Sequence, residues 1–140
     1  GPAGAGKSTV ARLVAARLGY AYLDTGALYR AAALQASRMG LALEEGEPIR
    51  RLMQEIEIRF EGGRTRLGGE DVSEAIRTPE ITRLASVISA IPSVRRSLLP
   101  LQRRVGHAVP TVADGRDMGT VVFPDADHKF FLDATPAERA

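Results

Sequence analysis

The residues best able to do chemistry stand first: Gly1-Pro2-Ala3-Gly4-Ala5-Gly6-Lys7-Ser8-Thr9. They satisfy the pattern G-x-x-x-x-G-K-[ST] without a gap, and glycine recurs at positions 1, 4 and 6. Nucleotide phosphates need several donors converging from one side. A glycine-rich loop supplies them as backbone N–H groups, because no side chain blocks the approach. In such a loop Lys7 brings an ammonium to the β/γ-phosphates, and the Ser8 hydroxyl is placed to hold Mg²⁺. A helix starting there adds the positive end of its dipole. The rival is a glycine turn before a helix that happens to carry Lys-Ser. Against it, Val10, Leu13, Val14 and Leu18 follow at amphipathic spacing, and Gly19 is placed to end the helix.

A second polar cluster, Asp114-Gly115-Arg116-Asp117-Met118-Gly119-Thr120, comes directly after the mostly apolar run 109–113. An acid at the end of a buried strand beside a phosphate loop commonly orients Mg²⁺ and its waters. An arginine two residues later is positioned to neutralise an acceptor phosphate. The plain alternative is a loop with an Asp–Arg surface pair, worth under about 1 kcal/mol. His107 and His128 are isolated, outside any metal-ligand spacing, and read as structural or surface residues.

The elements that must position these groups follow a recognisable rhythm. Tyr20-Ala21-Tyr22-Leu23 reads as a short buried strand ending at Asp24, and residues 25–39 as a helix stopped by Gly40. Loop, helix, strand and helix in so short a span predict a parallel α/β sheet, with ligands at the carboxyl ends of strands. Asp24, Thr25 and Arg30 then lie where a second ligand would be met. Residues 41–77 differ in character. Pro48 starts a short helix with Ile49, Leu52, Met53 and Ile56 on one face. Gly62-Gly63 and Gly68-Gly69 mark turns between short antiparallel strands, so this stretch reads as an insertion, either a decorative excursion or a substrate flap.

Thr78-Pro79-Glu80 announces a helix with Ile81, Leu84, Ala85 and Ile88 as its buried stripe. Pro92 starts another, with Val94, Leu98, Leu101 and Val105 on one face and Pro100 expected to kink or break it. Ser86 and Arg95 fall off these stripes, and each alone reads as solvated surface. His128 to Leu132 predicts one more strand. Thr135-Pro136-Ala137-Glu138 announces a helix close to the last residue. With no strand before Gly1, the sequence reads as a core truncated at both ends.

Bulk properties set the frame. The 140 residues suit one domain with a real core, and 44% apolar with 26% charged residues are values of a soluble globular protein. The absence of cysteine excludes disulfides and cysteine-based metal sites. No long apolar run or signal-like segment is visible, so a cytoplasmic location and no membrane partner are expected. A net charge of +2 and sparse aromatics argue against a nucleic-acid partner. The cations are 17 arginines against two lysines, which matters beside loops because a guanidinium can grip a phosphate with two hydrogen bonds.

The ordered blocks GPAGAGKST, YLDTGALYR, GEDVSEAIRTPEI, LASVISAIPSVR and ADGRDMGTVVFPDA resemble the bacterial cytidylate (CMP/dCMP) kinase family along nearly the whole chain. The resemblance implies a P-loop nucleoside monophosphate kinase fold: an α/β parallel sheet flanked by helices, with residues 41–77 as an antiparallel monophosphate-binding insert. It implies transfer of the ATP γ-phosphoryl group to CMP or dCMP with Mg²⁺, giving CDP or dCDP plus ADP in pyrimidine nucleotide metabolism, by a monomer. Residues 1–9 are then the ATP-phosphate loop, with Lys7, Arg30 and Arg116 as catalytic residues and Ser8 and Asp114 toward the metal. Thr25, Tyr29, Arg30, Ser86, Arg95, Arg116 and Asp117 would form the CMP site, with Ser86, Arg95 and Asp117 reading cytosine. Lid arginines would lie beyond residue 140, so the chain by itself is expected to turn over weakly or not at all. Two rivals stay open: a kinase of another small acceptor, and a P-loop NTP-binding switch, although the guanine-reading pattern N-K-x-D is nowhere in the sequence.

Overall fold

The computed structural model describes residues 7–108, 111–114 and 124–129. The chain divides into two compact units, residues 1–25 with 100–140 and residues 26–99. In the first, helix α1 (Lys7–Leu18) precedes strand β1 (Ala21–Asp24), which pairs in parallel with β5 (Thr111–Asp114). Gly19 closes α1 with φ of 68°, a left-handed stop that glycine adopts without strain. Helix α1 packs on both strands.

The face that α1 buries differs from the expected one. Ala11 and Ala15 are buried, whereas Val10, Leu13, Val14 and Leu18 are between 41% and 59% exposed. Periodicity reveals a stripe but not its partner. Alanines at i and i+4 let the helix backbone come close to a sheet, and here the small face is buried. Arg12 lies over the Tyr22 ring, 5.3 Å from its centroid, and tethers the helix to β1.

In the second unit, α2 (Thr25–Arg38) follows β1 directly, beginning at the break between units. Its alanines 27, 31, 32, 33 and 36 are buried together with Leu28 and Leu34. Helix α3 (Glu47–Glu55) has Pro48 in its first turn and buries Ile49, Leu52 and Met53. An antiparallel sheet follows in the order β2 (Ile58–Glu61), β3 (Arg64–Leu67), β4 (Glu70–Asp71). Both hairpin loops are two glycines, and the register pairs Glu61 with Arg64 and Leu67 with Glu70. All four of these glycines have positive φ, the geometry of the tight hairpin turn that matches strand twist.

A 3₁₀ turn at Ala75–Arg77 packs on α4 (Pro79–Ile88), whose cap is Thr78. The Thr78 Oγ1 accepts from Ile81 N at 3.2 Å. Helix α5 (Pro92–Ala108) then runs through Pro100 unbroken. The expected break is absent: one missing hydrogen bond is tolerated in a helix anchored by buried Val94 and Leu98, where tertiary packing overrides propensity. His128 and Lys129 are in neither strand nor helix, and the rest of that expected strand lies outside the described residues, as does the helix expected at residue 135.

Candidate functional site

Two strands of the first unit end in acids at one edge. The β1–β5 register runs Ala21↔Thr111, Tyr22↔Val112, Leu23↔Ala113 and Asp24↔Asp114, so two acids share the carboxyl edge of the parallel pair. Thr25, 3% exposed, comes immediately after, at the first position of α2. Lys7 and Ser8 open α1, and Thr9 is exposed. Residues 1–6, Arg116 and Asp117 lie outside the described residues.

A hydroxyl at Ser8 and a carboxylate at Asp114 are hard oxygen donors of the kind Mg²⁺ takes. Among the described residues no group of three or more His, Cys, Asp or Glu forms a cation cage. Magnesium in a phosphoryl-transfer site needs none, because substrate phosphates and water fill most of its octahedron.

The second unit carries Tyr29, Arg30, Ser86 and Arg95. Tyr29 and Arg30 are half-buried on the second turn of α2. Ser86, in α4, and Arg95, in the first turns of α5, are exposed. A short run of hydrogen bonds joins these two helices. Ser89 Oγ donates to the Ser86 carbonyl at 2.8 Å, and Arg95 Nη1 donates to the Ser89 carbonyl at 3.3 Å. The Ser86 hydroxyl donates to the Thr82 carbonyl over a long 3.4 Å, one turn back. A hydroxyl and a guanidinium, both polar and solvent-facing, are thus held on either side of one tight corner.

Charged side chains tie the antiparallel strands to α2 and to one another, and the loop before α3 to α5. Arg38, at the end of α2, forms a two-bond fork to Glu70 of β4, at 2.8 and 3.0 Å. Arg64 bridges Asp71 at 2.9 Å and Glu74 at 2.8 Å. These arginines hold the carboxyls of Glu70, Asp71 and Glu74 below their ordinary range, chiefly by hydrogen bonding. Glu45 takes two bonds from Ser93 at the start of α5, and its carboxyl is also lowered, first by the Ser93 hydroxyl. Sequence reasoning singled out neither Arg38–Glu70 nor Glu45–Ser93. The partners are 32 and 48 residues apart, and no local spacing signals such pairs.

A lysine-serine helix start behind a glycine-rich sequence, parallel strands ending in acids, and an antiparallel unit beside arginine-bearing helices define a P-loop α/β protein of the nucleoside monophosphate kinase fold. Comparison with known proteins gives the family. The family profile described as cytidylate kinase matches residues 1–140, and the chain belongs to that family. It is 52% identical over 139 residues to a cytidylate kinase of Solibacter usitatus, covering 99% of this chain and 60% of the relative. It is 51% identical over 140 residues to that of Caldanaerobacter subterraneus subsp. tengcongensis, covering all of this chain and 62% of the relative. The cytidylate kinase of Chlorobaculum tepidum is 52% identical over 143 residues, with 61% of it covered. The chain therefore spans about 60% of the length of these curated relatives.

Proposed function

We propose that the protein transfers the γ-phosphoryl group of ATP to CMP or dCMP, yielding ADP and CDP or dCDP. The observation that carries this reading is the corner joining α4 and α5. It holds Ser86 and Arg95 on a fixed, solvent-facing frame through Ser89. Cytosine presents an exocyclic amino donor beside ring and carbonyl acceptors. An acid with an arginine and a serine can satisfy both, and uracil, with a carbonyl in place of the amino group and a protonated ring nitrogen, mismatches part of that set. Asp117 is the acid in this reading, and residues 41–77 form the monophosphate-binding insert.

Phosphoryl transfer asks the protein for alignment and charge, not covalent chemistry. Lys7 and the amides of the loop 1–9 offset charge on the donor phosphates. Arg30 and Arg116 hold the acceptor phosphate, Tyr29 packs beside the nucleotide, and Thr25 contacts it at the strand edge. Ser8 and Asp114 would hold Mg²⁺, which when bound neutralises charge on the β- and γ-phosphates. A strong general base is unnecessary, since a monophosphate oxygen is already nucleophilic at neutral pH.

Calorimetric titration of CMP, with UMP as the paired control, tests the reading in the full-length protein, alongside acceptor-dependent ADP release. Selective CMP binding with CMP-dependent ADP release is the expected result. Equal response to UMP or AMP would replace it with a kinase of another acceptor. Tight ATP binding with no acceptor-dependent turnover would replace it with a nucleotide-binding switch.

A further inference from the structure

The start of α5 is capped from far away. A helix leaves its first N–H groups without intrahelical partners, and a serine, threonine or acid just before the helix usually serves them. The residue before Pro92 is Ile91, 5% exposed, which has no side-chain oxygen to offer. Pro92 itself carries no N–H. The first free amide is that of Ser93, and it donates to Glu45 Oε1 at 3.0 Å. The Ser93 hydroxyl donates to Glu45 Oε2 at 2.8 Å, so each carboxylate oxygen takes a bond from this one residue. Ser93 is only 6% exposed. Its two donors need this acceptor, because a buried polar group without one is costly.

Glu45 lies in the stretch 41–77, and Arg50 Nη1 of α3 donates to it at 3.4 Å. The carboxylate therefore ties that stretch to the first turn of α5. Two residues beyond Ser93 comes Arg95, whose N–H donates to the Ile91 carbonyl at 3.2 Å and whose guanidinium reaches Ser89. The direction in which Arg95 leaves the helix depends on how that first turn is set. A negative charge at the N-terminal end also suits the helix dipole.

We propose that Glu45 is a positioning residue for base recognition: by holding both donors of Ser93 it fixes the first turn of α5 and with it the aim of Arg95. The inference rests on the cytidylate reading above and adds to it the residue that couples the insert to base selection. An ordinary cap would add stability alone. A positioning cap also sets the preference for cytosine over uracil, and the two roles separate experimentally.

The experiment measures CMP and UMP dissociation constants by calorimetry in the full-length protein and in Glu45→Gln, Ser93→Ala and the double variant. Thermal unfolding is followed on the same samples. Glu45→Gln is expected to weaken CMP by about fivefold with little change for UMP, so that the UMP/CMP ratio of dissociation constants, the preference for CMP, falls, while the ATP affinity stays. Ser93→Ala should show a smaller fall, and the double variant no more than Glu45→Gln, since both act through one contact. Glu47→Gln, an exposed acid of α3 that does not touch Ser93, should leave the ratio where it is. A lowered unfolding temperature with an unchanged ratio would overturn the proposal and leave Glu45 a plain cap. An equal fall in Glu47→Gln would also overturn it, assigning the effect to the charge of the insert. Should Glu45→Gln fail to fold, Ser93→Ala decides alone, because it keeps the backbone bond to Glu45. Failure of the unmodified protein to prefer CMP would instead strike the functional reading itself.

Discussion

Asp24 pairs with Asp114 at the last register position of two parallel strands, so the acid of each strand marks the same sheet edge. Parallel pairing sets both chain directions alike, and in this register the residue ending one strand pairs with the residue ending the other. The apolar runs before the two acids have different lengths in sequence, yet they stop at the same line.

Asp114→Asn is expected to lower kcat by about 100-fold or more, the scale of losing one electrostatic contact to the transferring group. Asp24→Asn should cost less, because its role in the proposed reaction is to line the edge. Steady-state ADP release at several Mg²⁺ concentrations checks this. Partial recovery of Asp114→Asn at high Mg²⁺ would tie the loss to the cation, and full activity in that variant would remove Asp114 from the site.

Arg30→Lys keeps the charge on α2 but loses the planar fork. A guanidinium can give two parallel bonds to a phosphate, whereas an ammonium acts as a point charge. KM for CMP is expected to rise about tenfold, equivalent to about 1.4 kcal/mol, with KM for ATP unchanged. Parallel KM measurements for the two substrates decide it, and an equal rise in both would refute acceptor-phosphate binding by Arg30.

Thr78→Ala removes the oxygen that accepts the Ile81 amide at 3.2 Å. The expected cost is about 1 kcal/mol of stability, as for other N-cap deletions. Urea denaturation reads it directly. Thr78→Ser should retain most of that stability, and equal losses in both variants would point to the threonine methyl instead of the cap.

Stability should fall at acid pH in a defined sense. Glu70, Asp71 and Glu74 are held low by Arg38 and Arg64, and Glu45 by Ser93. Around an ordinary carboxylate pKa of about 4, the unfolded chain binds more protons than the folded one. Their contribution is therefore complete above that pH and is lost as pH falls through the lowered folded-state values. Because these groups are solvent-exposed, added salt should shrink the effect. Urea midpoints across pH, at low and high salt, test it, and Arg64→Gln should flatten the acid limb.

Legibility in the sequence followed locality. Gly62-Gly63 and Gly68-Gly69 announce hairpins because two adjacent residues of positive φ permit little else, and the strand Arg64–Leu67 lies between them. Thr78-Pro79 announced α4 for a similarly local reason. The exposed side of α1 was not legible, since spacing reveals an apolar stripe without saying which neighbour takes it. Pro100 does not end α5, because the cost of one proline is a local quantity and the surrounding packing outweighs it. At the site, Ser86 and Arg95 looked like plain surface one at a time. Only their link through Ser89 sets them on one corner, and Glu45 had no signal at all.

The alanines of α2 limit where this protein can change. Ala31, Ala32 and Ala33 are each 0% exposed, so a larger side chain at any of them would overpack the helix, at a cost of about 1–3 kcal/mol. Neutral change has room instead at exposed positions of the same helix such as Ser37, whereas a directed library seeking a different acceptor base would work at Ser86 and Arg95, exposed in α4 and α5. The buried side of the helix is thus a conservative chassis, and a changed base preference would come from residues outside it.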